Sequence, residues 1–339
     1  MGLNHPRDLA AWRRWQDSSD VMRRVRSAMR PTPSLDPPVL LTHDGGPVDV
    51  VIGLDGATPS KIAALVTPIE RGGLRAAIVA DRGGVDSLTD AGWQPGAAWT
   101  GACDLTARVA VVAGQHLPVG AAVGEWAGSR GRHLVVVQHG LLTPFAPPLP
   151  PQTHLLAWSE ADGDFYASGR TDVRFTVVGS QLLWDAQHHP VPGTDHDLTP
   201  VFLGQLHGAE LPRRGLARAA SQFCRETGAA YRPHPAEVDK LSRLYHSWWQ
   251  RRGIVIDRSG RPLIDTGSPV VSAFSTGVVE AAARGVPSWV YYPDPPEWLE
   301  EFWDRYGMSR WGEAPTPAPD LPAREPARAI ATAITDLVS

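Results

Sequence analysis

The chain has 339 residues, more than one typical domain, so two α/β-sized halves are the first expectation. Hydrophobic residues make up 42% of the sequence, enough for two cores, and the net charge of −4 argues against a surface built for nucleic acid. The two cysteines, Cys103 and Cys224, fit no metal or redox spacing. No signal peptide opens the sequence and no run approaches the ~20 apolar residues that cross a bilayer. We therefore expect a cytoplasmic protein.

Residues 1–35 predict a basic, amphipathic helical segment. Residues 1–30 contain seven arginines and three aspartates, with Trp12 and Trp15 among them. We favour a helix that packs on the first domain through its tryptophans. The alternative is peripheral contact with the inner face of an anionic membrane.

Residues 36–187 predict one doubly wound, Rossmann-like domain, to which we assign the acceptor. Short β-rich runs alternate there with helical stretches, and a Thr58-Pro59 pair marks a helix start. The runs cover 38–42, 48–52, 76–80, 108–113, 133–139, 154–158 and 174–179. Continuous apolar strands between helices are typical of a parallel sheet covered on both faces.

The remainder predicts a linker, a second domain and a final helix. Residues 188–200 are polar, rich in Pro and His and without periodicity, as in a linker. Residues 201–320 repeat the α/β pattern on a smaller scale, and 321–339 hold a C-terminal helix. The strands expected in the second domain start near 201, 229, 254, 269 and 287. Two such domains facing each other create a cleft, and open α/β sheets bind ligands at the carboxyl ends of their strands.

Four motifs fall at such strand ends. They are Gln138-His139-Gly140, Val178-Gly179-Ser180, Tyr231-Arg232-Pro233-His234-Pro235, and Ser272-Ala273-Phe274-Ser275-Thr276-Gly277 with Glu280 downstream. Taken singly, each has a plain structural explanation as a hydrogen-bonded strand end, a turn or a helix N-cap.

Phosphate binding is the function that suits the two motifs of the second domain. Prolines on both sides of His234 keep its backbone extended, and Arg232 alternates to the same side of the strand. The pair offers a fixed cation and an imidazole donor. Ser275 and Thr276 begin a helix, whose N-terminus presents free N–H groups to an anion.

The order of these motifs resembles the GT-B transferases that use CDP- or CMP-linked donors. These include CDP-glycerol glycerophosphotransferases, bacterial sialyl- and polysialyltransferases, and capsule Kdo transferases. The resemblance spans about residues 130 to 295. It implies two Rossmann-like domains facing across a cleft. Its implied site residues are His234, Ser275 and Thr276 on the donor phosphate with Arg232 in support, Gly179 and Ser180 near the donor, Glu280 near the ribose, and His139 at the reaction centre.

Two departures leave the transferred group open. Gln138 and Leu141-Leu142 flank His139-Gly140 where glycerophosphotransferases usually show Trp before and Thr-Pro-Leu-Lys after, and Ala273-Phe274 replaces an Asp-Tyr pair. The acidic motif typical of the sialyltransferases is not evident, although Asp55 lies where a catalytic acidic loop could be.

Three further features of the sequence are candidates for a functional site. Asp195-His196-Asp197 matches an Asp-x-Asp metal motif, but it lies in the linker without a preceding strand, so we expect no metal site. His116 is an acceptor-side candidate, and His207 is a donor-loop candidate because it follows the first strand of the second domain.

The sequence thus predicts metal-independent transfer of a sugar or polyol phosphate. The donor is a nucleotide sugar or a CDP/CMP-linked compound, the acceptor is a glycan or lipid-linked compound of the cell envelope, and no cofactor or nucleic acid takes part. His139 or Asp55 would remove the acceptor's proton. The alternatives are a sugar-nucleotide 2-epimerase and a non-catalytic nucleotide- or glycan-binding protein of the same fold.

Overall fold

The computed structural model describes residues 2–19, 36–43, 46–103, 105–189, 199–260 and 267–338. It divides into two compact units. Unit 1 comprises residues 1–182 and 322–339, and unit 2 comprises residues 183–321. The C-terminal helix therefore belongs to unit 1, although the whole of unit 2 precedes it in the chain.

Unit 1 is built on an eight-stranded sheet in the order β4-β1-β3-β2-β5-β6-β7-β8. The strands are β1 (Val39–Thr42), β2 (Val50–Leu54), β3 (Ala76–Ala80), β4 (Gln94–Ala98), β5 (Val109–Val112), β6 (His133–Val137), β7 (His154–Ala157) and β8 (Arg174–Val177). All neighbours from β3 to β8 pair in parallel, whereas β1 runs antiparallel to both β3 and β4. The expectation of a wholly parallel sheet was thus wrong at this edge, because β1 is not joined to β3 by a crossover helix. The exposed strand β4 was not predicted.

Alternate residues of the central strands supply two cores, one on each face of the sheet. Val51 of β2 belongs to one cluster, while Ile52 belongs to the other. This alternation follows from the two-residue period of a strand. Because both faces are covered, the central strands are apolar along their whole length, as the sequence predicted.

Helices cover both faces of unit 1. They are α1 (Leu9–Ser19), α2 (Pro59–Lys61), α3 (Thr67–Gly72), α4 (Arg82–Asp90), α5 (Pro118–Ser129), α6 (Glu160–Ala167) and α12 (Pro326–Val338), with a π-helical turn at Ile62–Val66 between α2 and α3. The helix expected at Thr58 begins there, with Pro59 in its first turn. Helix α7 (Gln181–His188) contains the boundary between the units.

The C-terminal helix α12 completes one of the two cores of unit 1. Ile330 and Ile334 are buried in the cluster that also holds Ile69 of α3. A Cβ on Gly72 would come within 2.4 Å of the Ala331 Cβ, so only glycine allows α3 and α12 to approach this closely.

The tryptophans of α1 pack on unit 1. Trp12 is buried and donates its indole N–H to the Phe145 carbonyl oxygen at 2.7 Å. Trp15 stacks on the Phe145 ring with 4.8 Å between centroids. The packing interpretation is confirmed for these two side chains. Residues 20–35 of the predicted basic segment lie outside the described residues.

Unit 2 has a four-stranded parallel sheet in the order β10-β9-β11-β12. Its strands are β9 (Val201–Leu203), β10 (Ala230–Arg232), β11 (Val270–Ser272) and β12 (Ser288–Val290), and its helices are α8 (Arg213–Thr227), α9 (Lys240–Gln250), α10 (Thr276–Ala283) and α11 (Glu297–Arg305). The strand expected at 254–257 forms only an isolated bridge between Ile256 and Tyr231. Residues 190–198 of the predicted linker lie outside the described part of the chain.

Candidate functional site

In unit 2, the predicted donor residues gather at one edge of the sheet. Arg232 ends β10 and His234 follows it, His207 follows β9, and Ser275 follows β11. Because β10, β9 and β11 are parallel neighbours, their carboxyl ends lie side by side. The rings of His207 and His234 stack with 3.9 Å between centroids and 20° between planes. The structure therefore brings together loops that are up to about seventy residues apart in the sequence.

A buried carboxylate, Glu237, holds the two histidine loops in place. It accepts hydrogen bonds from the Leu206 N–H at 3.0 Å and the His234 N–H at 3.3 Å, one from each loop. Tyr231 donates its hydroxyl at 2.9 Å, and His246 Nε2 lies 3.0 Å from the second carboxylate oxygen. The Glu237 side chain is fully buried, so its position is set by these partners. Sequence reasoning missed it, because nothing distinguishes it from a surface glutamate.

His234 is positioned as a hydrogen-bond donor. It is exposed, and its Nδ1 accepts the Ala236 N–H at 3.1 Å. The neutral ring then carries its proton on Nε2, which can donate a hydrogen bond. Although the residue as a whole is exposed, partial desolvation of its ring lowers the pKa of His234, with the Glu237 carboxylate acting in the opposite direction. The neutral tautomer is therefore the form at neutral pH.

His207 is also neutral. Burial, followed by the field of His234, lowers its pKa to about 4, against the opposing effect of Glu237. Arg213 closes the same loop, because its Nε donates to the Leu206 carbonyl oxygen at 2.7 Å while its other nitrogens pair with Asp239. Because both histidines are neutral, the positive charge at this edge of the unit 2 sheet comes from arginine guanidinium groups and from the N-terminal end of a helix dipole.

Arg232 carries charge next to two carboxylates. Its guanidinium lies 3.9 Å from the Asp257 carboxylate, and both side chains are mostly buried. Burial raises the pKa of Glu280, while Arg284 and Arg232 oppose this rise. Arg232 and Glu280, both predicted donor residues, are therefore close enough for the charge of Arg232 to affect the pKa of Glu280.

Ser275 is the N-cap of α10, which begins at Thr276. Its hydroxyl accepts the Gly277 N–H at 3.1 Å. The helical segment starts where β11 ends, held by the Gln205 side chain, whose oxygen accepts the Phe274 N–H at 3.0 Å. The plain N-cap interpretation of Ser275 is confirmed. This cap leaves the N-terminal end of α10 at the edge that carries His207 and Arg232.

In unit 1, His139 follows β6 in a turn fixed by Gln138. The buried Gln138 amide donates to the Asp162 carboxylate at 3.0 Å and accepts the Trp158 N–H at 2.8 Å. His139 is half-buried and lines a small pocket together with Ser60, Trp158, Gly179 and Ser180. The Gln138 amide also donates to the Gly140 carbonyl oxygen at 3.1 Å, so it holds the turn that carries His139.

His139 is neutral and surrounded by cationic or cationisable groups. Burial lowers its pKa to about 4, and Lys61 and His116 act in the same direction. Burial also lowers the pKa of His116 to about 4, again with a contribution from Lys61. The sequence suggested His116 but gave no sign of Lys61, one of only two lysines in the chain.

Asp55 performs a structural task. Its two carboxylate oxygens accept the Val119 and Gly120 N–H groups at 2.8 Å, at the start of α5. Lys61 Nζ donates to the Asp55 carbonyl oxygen. Burial raises the pKa of Asp55, and the Val119 and Gly120 N–H groups and Lys61 oppose this rise. A carboxylate held at a helix N-terminus by two N–H donors is a favourable anchor, and both of its oxygens are already engaged.

Gly179 and Ser180 follow β8 in the same unit. Gly179 has a φ of +80°, and a Cβ there would come within 2.7 Å of Pro322 Cγ. The buried Gln181 next to them accepts the Ala327 N–H at 2.7 Å. This glycine is required for the return of the C-terminal segment to unit 1.

Two negative findings bear on metal and membrane. Among the described residues, no three His, Cys, Asp or Glu side chains lie close enough together to hold a metal ion. The Asp195-His196-Asp197 motif lies outside those residues. None of the helices described here combines the length and the apolar character needed to cross a bilayer.

Comparison with known proteins shows the fold. No protein-family model matches the sequence, and no curated protein is similar to it in sequence. Among solved structures, a UDP-GlcNAc 2-epimerase from Methanocaldococcus jannaschii is similar over 85% of this chain and 99% of its own, with a TM-score of 0.51 and 12% identity. A glycosyltransferase from Rickettsia africae matches 86% of this chain and 93% of its own, with a TM-score of 0.43 and 10% identity. The α/β fold of this chain is of the GT-B type, as predicted from the sequence.

Proposed function

We propose that this protein is a GT-B transferase that moves a sugar or polyol phosphate from a nucleotide-activated donor to a glycan or lipid-linked acceptor. The observation that carries the proposal is the gathering of Arg232, His207, His234 and the N-terminus of α10 at one edge of the unit 2 sheet. A guanidinium, imidazole N–H donors and the positive end of a helix dipole together suit a phosphate dianion.

The donor phosphate would be bound by these groups. As the bond between the transferred group and the nucleotide phosphate oxygen breaks, negative charge grows on that phosphate. Arg232, His234 Nε2–H and the α10 N-terminus would stabilise the charge without a metal ion. Glu280 is the proposed partner of the ribose hydroxyls. It is close enough to Arg232 for the positive charge of Arg232 to oppose the rise in its pKa that burial causes.

The acceptor's proton would be taken by His139. Its ring is neutral at neutral pH and can accept a proton, although its low pKa makes it a weak base. We propose His139 over Asp55, because both Asp55 oxygens already accept backbone N–H groups. Lys61 and His116 would contact the acceptor from the same unit.

A sugar-nucleotide 2-epimerase is the second candidate, because a protein with that activity shares the fold. It requires acid and base groups acting on the sugar of the bound nucleotide. In the described part of unit 1, two carboxylates that directly follow strands are engaged as helix caps, Asp55 on α5 and Asp81 on α4. This engagement favours the transferase.

The first experiment identifies the donor. Purified protein is heated with CMP, CDP, UDP, GDP and their sugar or glycerol conjugates, since a ligand of the native state raises the melting temperature. We expect stabilisation by one nucleotide class, larger for its conjugate, and its loss in His234→Ala. No shift with any nucleotide would contradict the proposed donor site.

The second experiment separates the activities. The stabilising conjugate is incubated with and without candidate acceptors in EDTA, and products are resolved by mass. Acceptor-dependent transfer supports the proposal, whereas a sugar-nucleotide isomer formed without acceptor supports the epimerase. Activity lost in EDTA and restored by Mg²⁺ or Mn²⁺ would contradict metal independence.

A further inference from the structure

One face of α9 carries an exposed apolar ridge. Leu241, Leu244 and Trp248 are 40%, 65% and 44% exposed, and with the half-buried Tyr245 they line a shallow groove. These residues have the i, i+3, i+4 and i+7 spacing that places side chains on one helix face. We call this set the α9 ridge.

The ridge is not the core-facing side of α9. Ser242, His246 and Trp249 are the buried residues of that helix, and they lie on a neighbouring face. His246 bonds to Glu237 and Trp249 packs on Tyr231 with 4.7 Å between centroids, so this second face anchors α9 to unit 2. The ridge therefore adds nothing to the core of unit 2, and contiguous exposed apolar surface of this kind marks an interaction site.

Cations are concentrated in the segment that carries the ridge. Between residues 238 and 260 there are five, all exposed: Lys240, Arg243, Arg251, Arg252 and Arg258. The Arg252 guanidinium lies 4.1 Å from the centre of the Trp248 ring. The whole chain, in contrast, has a net charge of −4, so this positive charge is concentrated locally.

The acids of the same segment are already neutralised within unit 2. Asp239 pairs with Arg213 at 2.6 Å, and Asp257 lies 3.9 Å from Arg232. Within residues 238–260, which the structure describes in full, no other carboxylate occurs. An approaching negative surface therefore meets apolar side chains and cations.

We propose that the α9 ridge docks on an anionic lipid surface. A surface helix with an apolar stripe bordered by Lys and Arg lies in the headgroup region, with its apolar side chains among the acyl chains and its cations on the phosphates. Trp248 and Tyr245 suit the boundary, because their rings have an apolar body and a polar atom. The long aliphatic parts of Arg and Lys side chains beside the ridge allow their charged ends to reach the headgroups. A protein partner would instead favour an interface core depleted of charge.

The test is sedimentation of the full chain with vesicles of phosphatidylcholine alone or mixed with phosphatidylglycerol. We expect binding to the mixed vesicles, weaker binding to phosphatidylcholine, and release by salt, which screens the cations. Leu244→Asp should weaken binding on the order of tenfold or more, because it removes buried apolar area. The double variant Lys240→Glu/Arg252→Glu should weaken it by at least about 25-fold, since each lost cation costs roughly fivefold.

Two matched controls accompany these variants. Val177→Asp changes an exposed valine of β8, and Arg225→Glu changes an exposed arginine of α8. Both should sediment as the wild type does, and circular dichroism checks that every variant is folded. Failure of the wild type to bind anionic vesicles would overturn the proposal, as would normal binding by Leu244→Asp. Concentration-dependent dimers without lipid that Leu244→Asp abolishes would assign the ridge to a second copy of the chain instead.

Discussion

Replacing Glu237 with Ala should destabilise unit 2 more than any other single change at the candidate site. The substitution leaves the Tyr231 hydroxyl, the His246 ring and the Leu206 N–H without their buried acceptor. The exposed loop of His234 can bond to water instead. Each unmet buried donor costs about 1–3 kcal/mol. Water that enters the cavity left by the side chain can accept some of these hydrogen bonds, which makes the total cost smaller than the sum of the three. We therefore expect the free energy of unfolding to fall by about 3–5 kcal/mol, as when one member of a buried pair is removed.

Such a loss is a large part of the ~5–15 kcal/mol that stabilises a typical domain. The melting temperature of unit 2 should fall by roughly 10–15 °C, measured by circular dichroism. Glu237→Gln keeps one acceptor oxygen and should lose only about 1–2 kcal/mol. In that variant the two histidine loops shift, so the donor KM should rise more than kcat falls.

Glu226→Ala is the matched control, because Glu226 is exposed on α8. Its melting temperature should stay within about 2 °C of the wild type, since surface changes away from special contacts have small effects. If Glu237→Ala melted like Glu226→Ala, the carboxylate would not hold the histidine loops, and the positioning argument would fail.

Three further predictions concern the histidines. His234→Ala should abolish transfer while leaving the melting temperature unchanged, because the side chain is exposed; near-normal turnover in a folded variant would remove it from the donor site. His139→Ala should lower kcat sharply with little change in donor affinity, as measured by turnover and nucleotide titration; a destabilised protein with normal turnover would make its role structural. Burial lowers the pKa of His207 from 6.5 to about 4, so its neutral form stabilises the fold above pH 6.5 and this contribution is lost as the pH falls toward 4. The melting temperature of His207→Asn should therefore fall less steeply than that of the wild type over this range, and parallel curves would contradict the assignment.

The sequence predicted the parts of the fold that have a clear local pattern of apolar residues. The buried strands β2, β3 and β5 are unbroken apolar runs, and they form where expected. Strand direction has no such pattern, so the antiparallel β1 was missed. Strand β4 contains Pro95 and Gly96 and is exposed along its length, and it forms because β1 offers a free edge.

The site was predictable in part for the same reason. Motifs at strand ends indicated the loops of His139, Arg232 and His234, because parallel strands place their carboxyl ends together. Whether a side chain is buried, and which groups it hydrogen-bonds, depends on residues that are distant in the sequence. Hence neither the role of Glu237 as a buried acceptor nor that of Asp55 as a helix anchor could be found before the chain was folded.

The position of α12 has a consequence for synthesis. Unit 1 begins the chain, yet Ile330 and Ile334, which complete one of its cores, follow all of unit 2. At typical elongation rates, the apolar surface beside Ile69 stays uncovered for on the order of ten seconds or more until α12 has been synthesised. Unit 2 is continuous in sequence and is synthesised in full within that interval. Unit 1, whose sheet is made before unit 2, is thus completed only after it. Premature termination within residues 322–338 would leave unit 2 attached to an unfinished unit 1 that exposes apolar surface to chaperones and proteases.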